Sequence, residues 1–295
     1  MRGEIEFRCV WDARCQLGEG PVWDDRSGTL YFVDIKGDAV CAYDDRNGGW
    51  ISPYPGGPSA LALLEDESAL LCASTHGLER FCLSSGVRHG GLASLPLSGR
   101  MRPNDGKCDS AGRFWIGTMD DREEQFVGAL YRTDGSGDLI MMLPDIGVSN
   151  GLDWSPDGQR FYYTDSMRRT IWRFDHDPAS GTLGRRETFA TITDGLAAPD
   201  GLAVDAEGYV WSAIWDGGRI VRYAPDGAID RMIATPVPRP TSLAFGGPDL
   251  ATLYVTSARI GLSDTQLHDA PLSGALLACE PDVRGRASHR VRLSS

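Results

Sequence analysis

The 295-residue chain repeats itself along its whole length, and few architectures accommodate such a repeat. Short alternating runs rich in Val, Ile, Tyr, Phe and Trp recur at 29–35, 113–118, 160–166, 209–215 and 252–258. Each run follows a turn that contains Gly or Pro, and a second short apolar run precedes each turn. Alternation of this kind is typical of strands, and a helical period is hard to find anywhere in the chain. The sequence therefore predicts an all-β protein.

Six polar residues open the first apolar run of successive repeats and define the period. They are Glu19, Ser59, Asn104, Asn150, Asp200 and Thr241. The intervals between them are 40, 45, 46, 50 and 41 residues. Periods of about 40–50 residues that hold several short strands are typical of propeller blades. We therefore expect a six-bladed β-propeller with a central channel, formed by residues 1–295 as a single domain.

Two β-sandwiches are the alternative architecture, and the regular register across the midpoint of the chain argues against them. A propeller also needs a closed ring, because exposed sheet edges invite aggregation. The N-terminal strand (about 4–11) and the C-terminal run (about 286–293) are expected to pair within one blade and so close the ring.

Charge and hydropathy exclude several classes of partner. The 29 basic and 41 acidic residues give a net charge of −12, the opposite sign from that of a non-specific nucleic-acid binder. No stretch approaches about 18 uninterrupted apolar residues, and the start of the chain has no apolar signal-peptide region. The seven cysteines form no C-x-x-C pair, which favours reduced core thiols over a disulfide framework or a zinc ribbon. We expect a cytoplasmic protein with no nucleic-acid or membrane partner.

The six polar positions are expected at one mouth of the channel, because the innermost strand of each blade runs along it. All six side chains carry oxygen, and two of them are carboxylates and two are carboxamides. Such oxygens suit a hard divalent ion such as Ca²⁺, Mg²⁺ or Mn²⁺. Alternatively, they solvate a water-filled channel and cap strand starts, as Asn, Asp and Ser often do beside glycine. The repeat favours the metal and leaves both interpretations open.

Other catalytic signatures are missing from the sequence, including G-x-S-x-G, H-E-x-x-H, the phosphate-binding loop and the EF-hand loop. The five histidines have no metal-ligand spacing. Trp215 is a candidate for a residue that faces the channel mouth. The acidic run 120–125 is either a solvated loop or a segment that folds over the channel.

Five motifs, in order and at appropriate spacing, resemble those of a known family. They are LGEGPVW (17–23), RPNDGKCDSAGRFWIGTM (102–119), SNGLDWSPDGQRFYYTDS (149–166), APDGLAVDAEGYVWSA (198–213) and FGGPDLATLYVTSAR (245–259). The chain resembles the superfamily of gluconolactonase, regucalcin (senescence marker protein) and luciferin-regenerating enzyme. The resemblance covers about residues 15–285 and looks closest to bacterial sugar lactonases of the xylonolactonase and arabinolactonase type.

The resemblance implies one catalytic divalent metal ion in the channel of a six-bladed propeller. Glu19 stands in the family's G-E-G-P motif, Asn150 in its S-N-G motif and Asp200 in its P-D-G motif, and these are the family's metal ligands. All three belong to the six positions that the repeat brings together. The identity of the ion stays open among Ca²⁺, Mn²⁺, Zn²⁺, Mg²⁺ and Fe²⁺.

The resemblance also implies a substrate site. Arg102 and Asn104 match the family's R-x-N-D motif, whose arginine and asparagine bind substrate. A further family contact is an acidic residue shortly after G-T-M. Its direct counterpart here is Arg122, with Asp121 and Glu123 on either side, so these two carboxylates become the candidates.

The activity implied by the resemblance is hydrolysis of a sugar lactone to the aldonic acid. The metal would polarise the lactone carbonyl, and Asp200 would accept a proton from the attacking water. Arg102 and Asn104 would hold the sugar for attack. The alternative is a metal-binding propeller without turnover, as in the calcium-homeostasis role proposed for regucalcin, and phosphotriester hydrolysis is a conceivable side activity. No motif indicates an oligomeric state.

Overall fold

A computed structural model describes residues 5–133 and 138–293, and these form six β-sheets. The first strand, β1 (Arg8–Trp11), belongs to the last sheet. Blade 1 contains β2 (Gly18–Asp24), β3 (Thr29–Asp34), β4 (Ala39–Asp44) and β5 (Gly48–Pro53). Blade 2 contains β6 (Ala60–Leu64), β7 (Ala69–Ser74), β8 (Gly77–Cys82) and β9 (Arg88–Ala93). Blade 3 contains β10 (Met101–Cys108), β11 (Phe114–Asp120), β12 (Gly128–Thr133) and β13 (Leu139–Ile146).

The second half of the chain continues the pattern. Blade 4 contains β14 (Ser149–Trp154), β15 (Arg160–Asp165), β16 (Thr170–His176) and β17 (Leu183–Thr191). Blade 5 contains β18 (Ala198–Val204), β19 (Val210–Trp215), β20 (Arg219–Tyr223) and β21 (Ile229–Ala234). Blade 6 contains β22 (Pro240–Gly246), β23 (Thr252–Ser257), β24 (Leu276–Cys279) and the N-terminal β1. The predicted all-β, six-bladed propeller is confirmed.

The innermost strands, β2, β6, β10, β14, β18 and β22, contact one another in a closed ring around the channel. Six clusters of buried apolar side chains fill the six interfaces between adjacent blades. The cluster between blades 3 and 4, for example, packs Trp115 against Trp154 and Phe161, with ring centroids 5.6 and 5.1 Å apart. Each blade therefore gains its core from both neighbours.

The turn between the first two strands of a blade is held by an aspartate in blades 3 and 5. In blade 5, Asp205 Oδ1 accepts hydrogen bonds from the backbone N–H groups of Glu207 and Tyr209. Its Oδ2 accepts from the Trp211 indole at 2.9 Å and from the Arg222 guanidinium at 2.7 Å. In blade 3, Asp109 and Trp115 make the equivalent pair. The recurring aspartate thus ties each turn to the interface core.

The ring is closed by the N-terminal strand alone. β1 pairs antiparallel with β24, with Arg8 opposite Ala278. The C-terminal run does not pair with it, contrary to the prediction. Instead, β25 (Arg290–Val291) runs parallel to β6, the innermost strand of blade 2. Its side chains explain this position, because Val291 is buried and Arg290 reaches Asp24 at the base of blade 1.

The segment before β25 crosses one end of the channel. Arg286 Nη2 donates to Asp153 Oδ1 at 3.0 Å and to the Trp154 carbonyl at 2.7 Å. Residues 286–289 line a cavity of about 80 Å³ together with inner-strand residues from all six blades. We call residues 284–293 the C-terminal plug.

The described residues contain one short helix, α1 (Asp264–Asp269), inserted between β23 and β24. Ser263 caps its N-terminus, and Gln266 completes a capping box. No helix in the described ranges has the length and apolar character to span a membrane.

Candidate functional site

The end of the channel opposite the C-terminal plug opens into a cavity of about 380 Å³. Every residue predicted for the site lines this cavity, namely Glu19, Arg102, Asn104, Asp121, Glu123, Asn150 and Asp200. They come from blades 1, 3, 4 and 5. The fold therefore brings together side chains that are up to 181 residues apart in the chain (from 19 to 200).

A local irregularity of the innermost strands lies at these residues. In five blades the pairing register between the first and second strands shifts at this point: Glu19/Val22, Pro103/Gly106, Asn150/Leu152, Pro199/Leu202 and Pro240/Leu243. Such bulges bend a strand and re-aim its side chains, and they are common beside active sites. Gly20, which follows Glu19, has a positive φ of 55° that suits glycine.

Four of the six repeat positions reach the cavity and two do not. In blade 2, β6 pairs with β7 without a register shift, and the Ser59 hydroxyl donates to the Ala73 carbonyl at 3.2 Å. In blade 6, the Thr241 hydroxyl donates to the Gly18 carbonyl. The strand-capping interpretation therefore describes Ser59 and Thr241. The other four line the cavity.

A continuous chain of hydrogen bonds joins blades 3, 4 and 5 across the cavity. Arg102 Nη1 donates to Asn104 Oδ1, and Asn104 Nδ2 donates to Asn150 Oδ1 at 2.7 Å. Asn150 Nδ2 then donates to the Ser166 hydroxyl at 2.8 Å. Ser166 in turn donates to the carbonyl of Pro199, the residue before Asp200, at 2.6 Å. This network fixes the orientation of both amide side chains.

The loop after β11 contributes the acidic residues at the cavity mouth. Asp121 Oδ1 accepts from Arg102 Nε at 2.5 Å and from Lys36 Nζ at 2.6 Å. Although partial burial opposes the effect, the hydrogen bonds from Lys36 and Arg102 lower the pKa of Asp121. Glu123 also lines the cavity, and its φ of 58° marks a tight turn. The run 120–125 thus reaches the mouth, whereas the Arg122 side chain does not line it.

The carboxylates of Glu19 and Asp200 at the floor of the cavity are buried, and neither makes an ion pair within the described residues. Burial, followed by the charge of Asp105, raises the pKa of Glu19 to about 8. Burial and then Glu19 raise the pKa of Asp200 well above its usual range. Burial also raises the pKa of Asp105, which lines the small cavity on the side of the C-terminal plug, to about 6. Asp200 Oδ1 is buried and has no hydrogen-bond partner. Buried carboxylates this close need a proton or a cation between them.

A sequence profile described as "SMP-30/Gluconolactonase/LRE-like region" matches residues 17–259. The chain belongs to this family. The match spans the first strand of blade 1 to the end of β23 and includes all the candidate residues. The resemblance seen in the five motifs is therefore confirmed.

Relatives within the SMP-30/gluconolactonase family align over nearly the full chain. An L-arabinolactonase of Azospirillum brasilense is 37% identical, covering 95% of this chain and 93% of the relative. A pentonolactonase of Haloferax volcanii is 34% identical, covering 96% and 98%. The crystal structure of a calcium-binding protein, regucalcin, from Agrobacterium tumefaciens is 32% identical with a TM-score of 0.93, covering 98% of both chains.

The donor set at the floor fits a divalent cation. Glu19 and Asp200 supply carboxylates, and Asn150 supplies an amide oxygen with a second lone pair free beside the bond from Asn104. Three oxygens with room for water are typical of Ca²⁺, Mg²⁺ and Mn²⁺ sites. Across residues 5–133 and 138–293, no three His, Cys, Asp or Glu side chains converge as a metal site. The proposed set of Glu19, Asn150 and Asp200 differs from such a group because it has an amide in place of a third carboxylate.

Sequence reasoning missed several residues that line the cavity: Lys36, Ser166, Met167, Leu196, Asp216, Arg239 and Ile260. Most of them follow the second strand of a blade. The sequence could have indicated them. The second strand of a blade runs antiparallel to the first, so the residues after it lie beside the residues that open the first strand. Trp215, the last residue of β19, lines the cavity as predicted.

Proposed function

We propose that this member of the SMP-30/gluconolactonase family is a metal-dependent lactonase that hydrolyses a neutral sugar lactone to the aldonic acid. The observation that carries the proposal is the unpaired, buried carboxylate of Asp200 in one cavity with Glu19, Asn150 and Arg102. The arabinolactonase and pentonolactonase names of two relatives support this substrate class and favour a five-carbon lactone.

Glu19, Asn150 and Asp200 are the residues that would hold the metal. A divalent ion bound there supplies Lewis-acid polarisation of a carbonyl and neutralises the two carboxylates. The ion is the proposed cofactor, and its identity is a matter for experiment. The raised pKa values of Glu19 and Asp200 are the expected property of ligands that lack their cation.

Asp200 is the proposed general base that acts on water. Its Oδ1 is buried and makes no hydrogen bond with the residues that the structure describes. A carboxylate with a raised pKa takes a proton more readily than an exposed one does. We assign Asp200 the transfer of a proton from water to this oxygen as the water attacks the lactone carbon.

Arg102 is the proposed donor to the substrate. Its Nε and Nη1 are bonded to Asp121, Asn104 and the Pro103 carbonyl. Nη2 makes no hydrogen bond with the part of the chain that the structure describes, and it is therefore available to sugar hydroxyls. Both donors of Asn104 are used within the protein, on Ser149 and Asn150, so a substrate can reach only its Oδ1. The same network makes Asn104 a positioning residue for Arg102.

The rival function is ion binding without turnover, since one structural relative, regucalcin of Agrobacterium tumefaciens, is described as a calcium-binding protein. Ion binding alone does not require a guanidinium on the cavity wall with one nitrogen unpaired. The free nitrogen of Arg102 therefore favours the lactonase over an ion-binding protein without turnover.

The test is hydrolysis followed by base uptake at constant pH. Metal-stripped protein receives Ca²⁺, Mn²⁺, Mg²⁺, Zn²⁺ or Fe²⁺ and then L-arabinono-, D-xylono-, D-galactono- or D-gluconolactone. We expect hydrolysis that depends on the added metal. Metal binding measured in the same samples without acceleration of any lactone would favour the non-catalytic alternative.

A further inference from the structure

The cavity mouth carries one of the two lysines of the chain. Lys36 lines this cavity, and Lys107 lines the smaller cavity on the side of the C-terminal plug. The other 27 basic residues are arginines. A lysine ammonium is a compact charge with three hydrogen-bond donors. The proposed chemistry uses Arg102 and Asp200 and gives Lys36 no part.

The turn that carries Lys36 is fixed by Asp34, the last residue of β3. Asp34 Oδ1 accepts hydrogen bonds from the backbone N–H groups of Leu17 and Gly37, each at 2.9 Å. Its Oδ2 accepts from the backbone N–H of Gln16 at 2.9 Å. The backbone on both sides of Lys36 is therefore held, and the lysine side chain starts from a defined position at the cavity mouth.

Asp121 joins Lys36 to Arg102. Lys36 Nζ donates to both carboxylate oxygens of Asp121, at 2.6 and 2.8 Å, and Arg102 Nε donates to Oδ1 at 2.5 Å. The backbone N–H of Asp121 donates to the Arg100 carbonyl at 3.0 Å. One carboxylate thus holds two cations, one from blade 1 and one from blade 3. Together they bridge the position of blade 2, of which no residue lines the cavity.

The bond to Asp121 helps to fix the direction of the Arg102 guanidinium. Arg102 Nη1 donates to the Pro103 carbonyl and to Asn104, while Nε is held by Asp121. A guanidinium is planar, so fixing Nε and Nη1 also fixes the direction of Nη2. Asp121 is 38% exposed, and Lys36 and Arg102 are its side-chain partners among the described residues. Without Lys36, this carboxylate can turn toward water.

Resting on the proposed lactonase function, we propose that Lys36 is a positioning residue, which holds Arg102 toward the sugar through Asp121. The chemical step belongs to the residues of the cavity floor. Loss of Lys36 therefore weakens binding of the lactone equally in the ground state and in the transition state. Such a change raises KM and leaves kcat nearly unchanged.

The experiment measures steady-state kinetics of Lys36→Met with the metal and the lactone that the wild type uses best. Methionine keeps an unbranched side chain but removes its charge and its donors. We expect KM to rise about 10-fold, the scale of one charged hydrogen bond, and kcat to stay within about 2-fold. Tm should change by less than about 3 °C, because a partly exposed ion pair contributes about 1 kcal/mol or less. A wild-type KM in Lys36→Met would overturn the inference and leave the lactonase intact.

Two further comparisons test the route through Asp121. Lys36→Arg restores a cation and should return KM to within about 3-fold of the wild type. Asp121→Asn removes the charged bridge, so adding Lys36→Met to it should raise KM no further. Effects that multiply in the double variant would mean that Lys36 contacts the substrate independently, and they would overturn the positioning role. So would a KM in Lys36→Arg as high as that in Lys36→Met.

Arg80→Met is the matched control. Arg80 pairs with Asp66 on blade 2, away from the cavity, and its side chain is 39% exposed against 32% for Lys36. This variant also loses one positive charge and should keep the wild-type KM. An equal rise in KM would assign the effect to net charge and overturn the inference. Hydrolysis of no lactone by the wild type would contradict the proposed function and this inference with it.

Discussion

Asp200 is the residue on which the proposed chemistry depends most. Asp200→Asn keeps the shape of the side chain but removes its negative charge and its basicity. We expect kcat to fall by at least about 100-fold, the usual contribution of a positioned base. Circular dichroism and Tm of the variant should match a folded propeller. Exposed Asp249→Asn is the control. A wild-type rate in Asp200→Asn would exclude Asp200 as the base.

Ser166 would act on the proposed metal site through Asn150. Its hydroxyl accepts from Asn150 Nδ2 and donates to the Pro199 carbonyl. Ser166→Ala removes the acceptor of Asn150 Nδ2, so the amide is oriented only by the hydrogen bond that its oxygen accepts from Asn104. We expect metal affinity, measured by calorimetry, to fall about 10-fold, the low end for residues that orient a ligand. Ser94→Ala, at an exposed position, should bind metal as the wild type does.

Protons would compete with the proposed metal ion for the carboxylates of the cavity floor. Burial and Asp105 raise the pKa of Glu19 to about 8, so in metal-free protein Glu19 holds a proton that an unfolded chain releases near 4.5. Between these values the folded state binds more protons than the unfolded state, and metal-free stability falls as pH rises. Metal must displace that proton, so apparent affinity should rise from pH 5 to 8.

Two titrations check this pH dependence. Calorimetric binding at pH 5, 6, 7 and 8 should give steadily tighter metal affinity, and metal-free Tm should decrease over the same range. Glu19→Gln, which has no proton to lose, should weaken metal binding and reduce both pH trends, leaving the part that Asp105 and Asp200 contribute. A metal affinity independent of pH between 5 and 8 would show that the carboxylates are already ionised.

At the scale of the strand and turn, the largest loss of stability is expected from replacing Asp205, the buried aspartate in the first turn of blade 5. Asp205 is fully buried and is the acceptor for the Trp211 indole and the Arg222 guanidinium. Asp205→Ala leaves a buried cation and a buried N–H without that acceptor. We expect a loss of about 3 kcal/mol in the free energy of unfolding, measured by urea denaturation. Glu207→Ala, which removes only an exposed partner of Arg222, should cost less than about 1 kcal/mol.

The strands themselves could be predicted because each carries its own signal. Alternation and glycine turns mark them locally, and the period of the repeat sets the number of blades. The direction in which a polar side chain points is different, because it depends on register between strands. Ser59 and Thr241 occupy the same repeat position as Asp200, yet a missing bulge in one case and a carbonyl acceptor in the other turn them away from the cavity.

The contacts between blades were equally hidden from the sequence. Lys36 reaches Asp121 from two blades away, across 85 residues of chain. Nothing local to Lys36 indicates that partner. Likewise, the alternation of the C-terminal run does not say which strand it pairs with. The contact of Arg286 with Asp153 and the burial of Val291 hold it at the channel.

For the whole molecule, the C-terminal plug is a substantial part of the stability. Deleting residues 284–295 removes Arg286 from Asp153 and exposes the inner strands that now surround the small cavity. We expect a loss of about 3 kcal/mol, or roughly 5–10 °C in Tm by calorimetry. A chain truncated only after Leu293 is the control. An unchanged Tm in the shorter chain would mean that the plug contributes nothing to the ring.

The plug also limits how small molecules can enter and leave the channel. A propeller open at both ends could take in a lactone at one end and discharge the acid at the other. With residues 286–289 across one end, the described part of the channel opens at the other end, beside the ion pairs of Asp121. Entry and departure must therefore alternate. In the proposed lactonase, the acid anion would leave past Asp121 and Glu123, which the next neutral lactone would also pass on entry.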